Sequence, residues 1–211
     1  MQNTSLKAQD VTTFDPDTLT QAEQYKLLVG SVVPRPIALV TTIGEHGPNA
    51  APFSFFNVLS VKPPLLLLSI GMRGNDIEKD TTRNLRECGE LVIHIVDEDN
   101  AEKMNLCSAP HPPSVNELEV AGFECGPSDL VKPPRILDCP VAFECKLESL
   151  TPYGEVPYHL VIARVVRMHF RSDTVNSVHH VNLSALNPVG RVPGPGMYTR
   201  VTDLFQLPSL L

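Results

Sequence analysis

No tryptophan occurs among the 211 residues, and several familiar signatures are missing with it. The five cysteines, Cys88, Cys107, Cys125, Cys139 and Cys145, are odd in number and form no CxxC pair. That argues for a reduced, cytoplasmic compartment in which the thiols act as small core hydrophobes. The opening MQNTSLKAQD is polar and lacks the charged and apolar regions of a secretory leader. The longest apolar stretch, LLLLSIG, is far too short to span a bilayer, so no membrane association is expected. A net charge of −7 disfavours nonspecific nucleic-acid binding, where a basic face is expected. A local group of Arg and Lys can still hold a small anion. Neither GxGxxG nor a P-loop is present, which excludes dinucleotide binding through a Rossmann unit. The adjacent His179 and His180 point oppositely on a strand and have no third ligand at a zinc-like spacing, so no metal is expected.

What the chain does have is proline, 20 residues of it, spread throughout. That predicts many short elements and rigid turns rather than long helices. Residues 1–19 read as a polar arm and 20–211 as one domain. TQAEQYKLLVG carries a capping box, Thr20 with Glu23, and Gly30 as terminator. PIALVTTIG and APFSFFNVLSV read as strands joined by the turn EHGPN, and PPLLLLSIG as a third. DTTRNLREC predicts a helix with Asp80 as N-cap and Gly89 just past its end. ELVIHIVDE is a fourth strand and DNAEKMNLC a short helix. SVNELEVAG is a second capping box, Ser114 with Glu117, closing at Gly122. PVAFECKLESL and HLVIARVVRMHF are two more strands, the second apolar on both parities. NPVGRVPGPGMYTRV is a Pro/Gly loop entering a last short strand. This is a mainly β chain with short helices, suited to a small closed or nearly closed barrel.

Four stretches can carry chemistry. In PRPIALVTT, Pro34 and Pro36 hold Arg35 in extended backbone, presenting its guanidinium. This is either an anion contact or an ordinary strand lead-in with a solvated arginine. Ser54, Asn57 and Ser69 are small polar groups in apolar strands that could meet a polar ligand or be satisfied by the ladder. Arg73 and Lys79 flank a loop that runs into a helix start at Thr81, where free N–H groups and the dipole favour an anion. A plain capped surface helix is the alternative. His159 opens a strand after a Gly/Pro loop, at a barrel rim, and titrates near neutrality when unperturbed. Nothing local would activate Cys145 as a thiol partner for it.

Taken together, VVPRPIALVTTIGEHGPNAAPFSFFNVLSVKPPLLLLSIG, KDTTRNL, GELVIHIV, NELEVAGF, VKPPRI, FECKLE and HLVIARVV resemble the flavin reductase-like family with the FMN-binding split-barrel fold. The resemblance covers about residues 20–205. It implies a homodimer of split barrels binding FMN (or FAD) near the subunit interface, with NAD(P)H as co-substrate. It further implies a flavin reductase that can supply reduced flavin to a partner monooxygenase, or else a non-enzymatic electron carrier of the same fold. Carried over by position, Arg35, Thr41 and Thr42 approach the flavin, and Ala51, Pro52, Phe53, Ser54 and Asn57 line its ring and ribityl chain. Ser69 joins this set, and Lys79, Asp80 and Thr81 take the phosphate. Arg191, with Tyr198, reaches the site from the late loop, and His159 seats the nicotinamide as the catalytic-side residue. The chain departs from the pattern at Ala163, usually Gly, at Tyr158, often Asp, and in the longer, proline-rich GRVPGPGMY loop.

Overall fold

A computed structural model of the protein describes residues 11–74 and 77–208. The arm expected over 1–19 lies outside the described residues as far as residue 10. From 11 to 19 the chain is almost wholly exposed, with one 3₁₀ turn at Pro16–Thr18. Helix α1 (Gln21–Ser31) starts on the expected capping box: Thr20 accepts from the Glu23 amide, and the Glu23 carboxylate accepts from the Thr20 amide. It runs through Gly30 and ends at Ser31, so that glycine terminates nothing.

Strand β1 (Arg35–Pro36) leads into β2 (Ala38–Gly44), which turns at Glu45–His46 into β3 (Gly47–Phe53). The expected long strand from Ala51 to Val61 is two strands. Ser54 and Phe55 break it, and β4 (Phe56–Val61) then pairs with β5 (Pro64–Ile70). Helix α2 (Asp80–Cys88) and β6 (Glu90–Ile95) follow, then the short helices α3 (Ala101–Leu106) and α4 (Glu117–Ala121). After the small pair β7 (Cys125–Gly126) and β8 (Arg135–Ile136) comes the long hairpin of β9 (Val141–Tyr153) and β10 (Tyr158–Phe170). Helix α5 (Leu183–Leu186), β11 (Val189–Arg191) and β12 (Tyr198–Arg200) close the order. The tail is thus a hairpin, and β11 also pairs with β1.

Seven strands form one antiparallel sheet in the order β3-β2-β6-β9-β10-β5-β4. Its two edge strands, β3 and β4, are consecutive in the chain with only Ser54 and Phe55 between them. Edges joined by so short a link must meet in space, so the sheet coils into a barrel closed at this seam by the chain rather than by ladder hydrogen bonds. The inward residues Ala38, Val40, Phe53, Phe56, Leu68, Ile93, Cys145 and Val161 fill it, and Leu85 of α2 plugs one end. A second core lies outside β2 and β3, where Leu39 and Ala50 pack under Met104, Leu118, Phe123, Ile136 and Val189. On β10 the inward parity is buried as expected, but its outer face is only half covered, with Met168 exposed.

Candidate functional site

Two adjoining cavities of about 210 and 280 Å³ share Pro52 and Ser108 and form one groove along the outside of β3. The first is walled by Asn49 and Ala51, the start of α2, Arg73, the 107–110 loop and Glu117. The second is walled by Ile37, Phe53, Ser54, Met104, Arg191 and Tyr198.

At the first end, α2 begins without a side-chain cap among the described residues. The N-cap is Lys79, in extended backbone, and not Asp80 as the sequence suggested. The Asp80 and Thr81 amides therefore lack intrahelical partners, and both residues line the cavity. Asp80 takes the first helical position. Its buried carboxylate accepts from Arg73 at 3.1 Å and pairs with Arg83, tying the preceding loop to the helix. Lys79 extends its ammonium over the Phe53 ring, 5.4 Å from the centroid. Burial, then the Arg73 charge, pushes its pKa below the ordinary lysine value. Among the described residues it has no carboxylate partner.

The floor of this end is a polar network that sequence reading missed. Glu117, at the start of α4, is buried and accepts from Asn49 Nδ2 at 2.9 and 3.0 Å and from the Ala50 amide at 3.1 Å. The N-cap of α4 is Asn116, not Ser114, which leaves Glu117 free for this inward contact. The Asn49 carbonyl in turn accepts from Thr81 Oγ1 at 3.2 Å and from Thr42 Oγ1 at 3.4 Å, and Asn84 donates to Thr42 at 3.1 Å. Gly44 packs directly beside it: an added Cβ would meet Asn84 Oδ1 at 2.1 Å and force that side chain to shift. The sequence signal was slight: Asn49 follows a turn, and Glu117 sits in a helix start that reads as local capping.

The other end is more apolar. Arg191 lies over the Tyr198 ring, 5.0 Å from its centroid, and donates to the carbonyls of Val192 and Met197. Tyr198 donates to Asn105 at 3.2 Å, joining β12 to α3. Of the expected site residues, the groove brings together Ala51, Pro52, Phe53, Ser54, Lys79, Asp80, Thr81 and Arg191.

The others fall elsewhere. Arg35 is not a presented guanidinium: it is buried, donating to the Val29 and Val32 carbonyls at 2.6 and 3.1 Å and to Ser54 Oγ at 3.3 Å. Thr41 and Thr42 are wholly buried; Thr41 donates to the Pro134 carbonyl at 2.7 Å and Thr42 sits in the network above. Neither hydroxyl reaches the groove. Asn57 is exposed on β4 and turns back to its neighbour's amide, because the break at Ser54–Phe55 moves it to the other edge of the sheet. Ser69 lines a separate apolar cleft of about 650 Å³ between α1, Phe55 and Tyr158. His159 lies at the barrel end but is buried, its Nε2 3.4 Å from Glu78 and its Nδ1 without a partner among the described residues. Burial pushes the Cys145 thiol well above its ordinary value, which leaves it inert.

Comparison with known proteins agrees with this architecture. An uncharacterized protein of Halalkalibacterium halodurans is 41% identical over 92% of this chain and 94% of its own. The crystal structure of nitrilotriacetate monooxygenase component B from Bacillus cereus superposes with a TM-score of 0.89 at 34% identity, over 93% of this chain and 98% of that one. The 2-nitrobenzoate 2-nitroreductase of Pseudomonas fluorescens gives 0.85 at 37% identity, over 95% and 98%. The flavin reductase-like domain model matches residues 29–185. With its barrel split at the β3–β4 seam and that match across most of its length, the chain belongs to the flavin reductase-like family.

Proposed function

We propose that the groove binds FMN, with the phosphate at the start of α2 and the ring against Phe53, Ser54 and Tyr198, and that the protein is an NAD(P)H-dependent flavin reductase. The observation that carries this is Lys79: a largely buried ammonium without a carboxylate partner among the described residues, beside uncapped helical amides. That donor set fits a phosphate monoester. Apolar and aromatic walls at the other end fit a flat ring, and the joined groove falls in the roughly 300–1,000 Å³ range of small-molecule sites. FAD is the alternative flavin.

A bound flavin supplies the hydride-accepting ring, so the chain needs no acid–base dyad of its own. Its residues bind and orient. Lys79, Arg73 and the α2 amides hold the anion, and Pro52 and Ser108 form the waist of the groove. Ser54, accepting from Arg35 Nε, keeps its own proton free to donate into the ring end. Orientation of this kind is worth several kcal/mol of barrier, about 7 or more in well-aligned cases. His159 contacts Glu78 of the loop before α2 at 3.4 Å and does not line the groove, so its part in seating a nicotinamide would run through that loop.

The Bacillus cereus neighbour is one component of a monooxygenase. By likeness, reduced flavin passes from this protein to a partner oxygenase. A homodimer is supported by α1, none of whose residues is buried, and by Leu28, Val32, Val58 and Val61, each more than 60% exposed. Five free cysteines fit a cytoplasmic setting. Among the described residues, no helix is long and apolar enough to cross a membrane.

Anaerobic titration of the flavin-loaded protein with NADH and NADPH tests the reading. Bleaching of the visible flavin band by either nucleotide is expected. No bleaching by both would leave an electron carrier, and protein that neither carries FMN nor gains thermal stability from it would remove the flavin altogether.

A further inference from the structure

We infer that Glu117 is a specificity-determining residue that weakens the grip of the groove on the flavin phosphate and so keeps the flavin exchangeable. The inference rests on the phosphate lying at the start of α2. Four charged side chains wall that cavity: Arg73, Lys79, Asp80 and Glu117. Asp80 is offset by Arg73 and Arg83, a triad that keeps one net positive charge on the same side of the cavity as Lys79. That leaves Lys79 and Glu117 as the cation and the carboxylate without an ionic partner among the described residues. Both line one cavity of about 210 Å³, so both act at short range on an anion bound there.

Hydrogen bonding adds to the charge. A carboxylate only accepts, so Glu117 obliges Asn49 to turn its amide nitrogen inward and its carbonyl outward. That carbonyl takes the Thr81 hydroxyl proton at 3.2 Å. Thr81, on the cavity wall, is left with lone pairs and no proton for a phosphate oxygen. Glutamine at 117 keeps the shape, removes the charge and lets Asn49 turn over, returning the Thr81 proton to the cavity. Both changes favour the anion.

Equilibrium and stopped-flow binding of FMN and riboflavin to the full chain tests this. Glu117→Gln is expected to tighten FMN about tenfold and slow its release, with riboflavin unchanged. Unchanged or weaker FMN binding overturns the inference. Glu117→Asp keeps the charge and should not tighten FMN; tightening in both variants would assign the effect to packing and overturn it. The unmodified protein gives an independent reading: FMN should exceed riboflavin by less than about a hundredfold, and a larger preference overturns the inference. Lys79→Ala in the same series tests the placement beneath it. Equal loss of FMN and riboflavin there would sink the phosphate site itself, whatever Glu117 does.

Discussion

Arg35 Nη1 lies 2.6 Å from the carbonyl oxygen of Val29, and the same nitrogen donates to Val32 at 3.1 Å. A guanidinium thus closes the C-terminal end of α1, where the helix dipole is negative and the last carbonyls lack partners. Its Nε reaches Ser54 at the break between β3 and β4, so one side chain joins α1 to the barrel seam. The Pro-Arg-Pro step is rigid because it aims this tether.

Arg35→Met should therefore release α1 before it harms the sheet. Charge-assisted hydrogen bonds contribute about 1.5–3 kcal/mol, so unfolding free energy in urea is expected to fall by roughly 2 kcal/mol. Hydrogen exchange should accelerate in residues 21–31 while β2 and β6 stay protected. Equal acceleration in both would show that Arg35 holds the barrel rather than the helix.

Lys79→Ala should cost FMN roughly tenfold in affinity and leave riboflavin nearly untouched, since only FMN carries the phosphate. Fluorescence titration with the two flavins reads this directly.

His94 gives a pH prediction. It is wholly buried, donating from Nδ1 to Leu39 at 3.0 Å and accepting at Nε2 from the Ile136 amide at 2.9 Å. Burial is the main cause that takes its pKa from the ordinary 6.5 to about 4. The folded state holds the neutral ring, so its contribution is complete above pH 6.5 and is lost as pH falls towards 4. Linkage over that window costs about 2 kcal/mol between pH 7 and 5. The urea midpoint should fall accordingly in the unmodified protein and stay nearly flat in His94→Gln over the same range.

Leu28→Glu should shift a dimer to monomer in sedimentation without changing the melting temperature of the isolated barrel by more than a few degrees, because Leu28 is 64% exposed in the single chain. A monomeric parent protein would refute the dimer instead.

Features legible in the sequence are local. The Thr20–Glu23 box spans three residues, and Gly89 and Gly122 end α2 and α4 in left-handed backbone at φ 69 and 67. Lys79, Thr81 and the Ala51–Ser54 run were readable because a helix start and a strand face are short-range features, and the family resemblance placed them together. Asp80 and Ser114 went wrong for one reason. Each was assigned the cap a local rule prefers, whereas Asp80 pairs with Arg73 and Arg83 and the cap of α4 falls to Asn116.

By itself, the sequence determined a mainly β chain, its short helices and a helix start near Thr81. All of these follow from periodicity, turn chemistry and residue type over a few positions. Only the tertiary structure decided what Arg35 faces, that Thr41 and Asn57 leave the groove, and that Glu117 accepts from Asn49 across 68 residues of chain. Those outcomes depend on which strands become the sheet edges and where the barrel closes, and such pairings between distant segments leave no local trace.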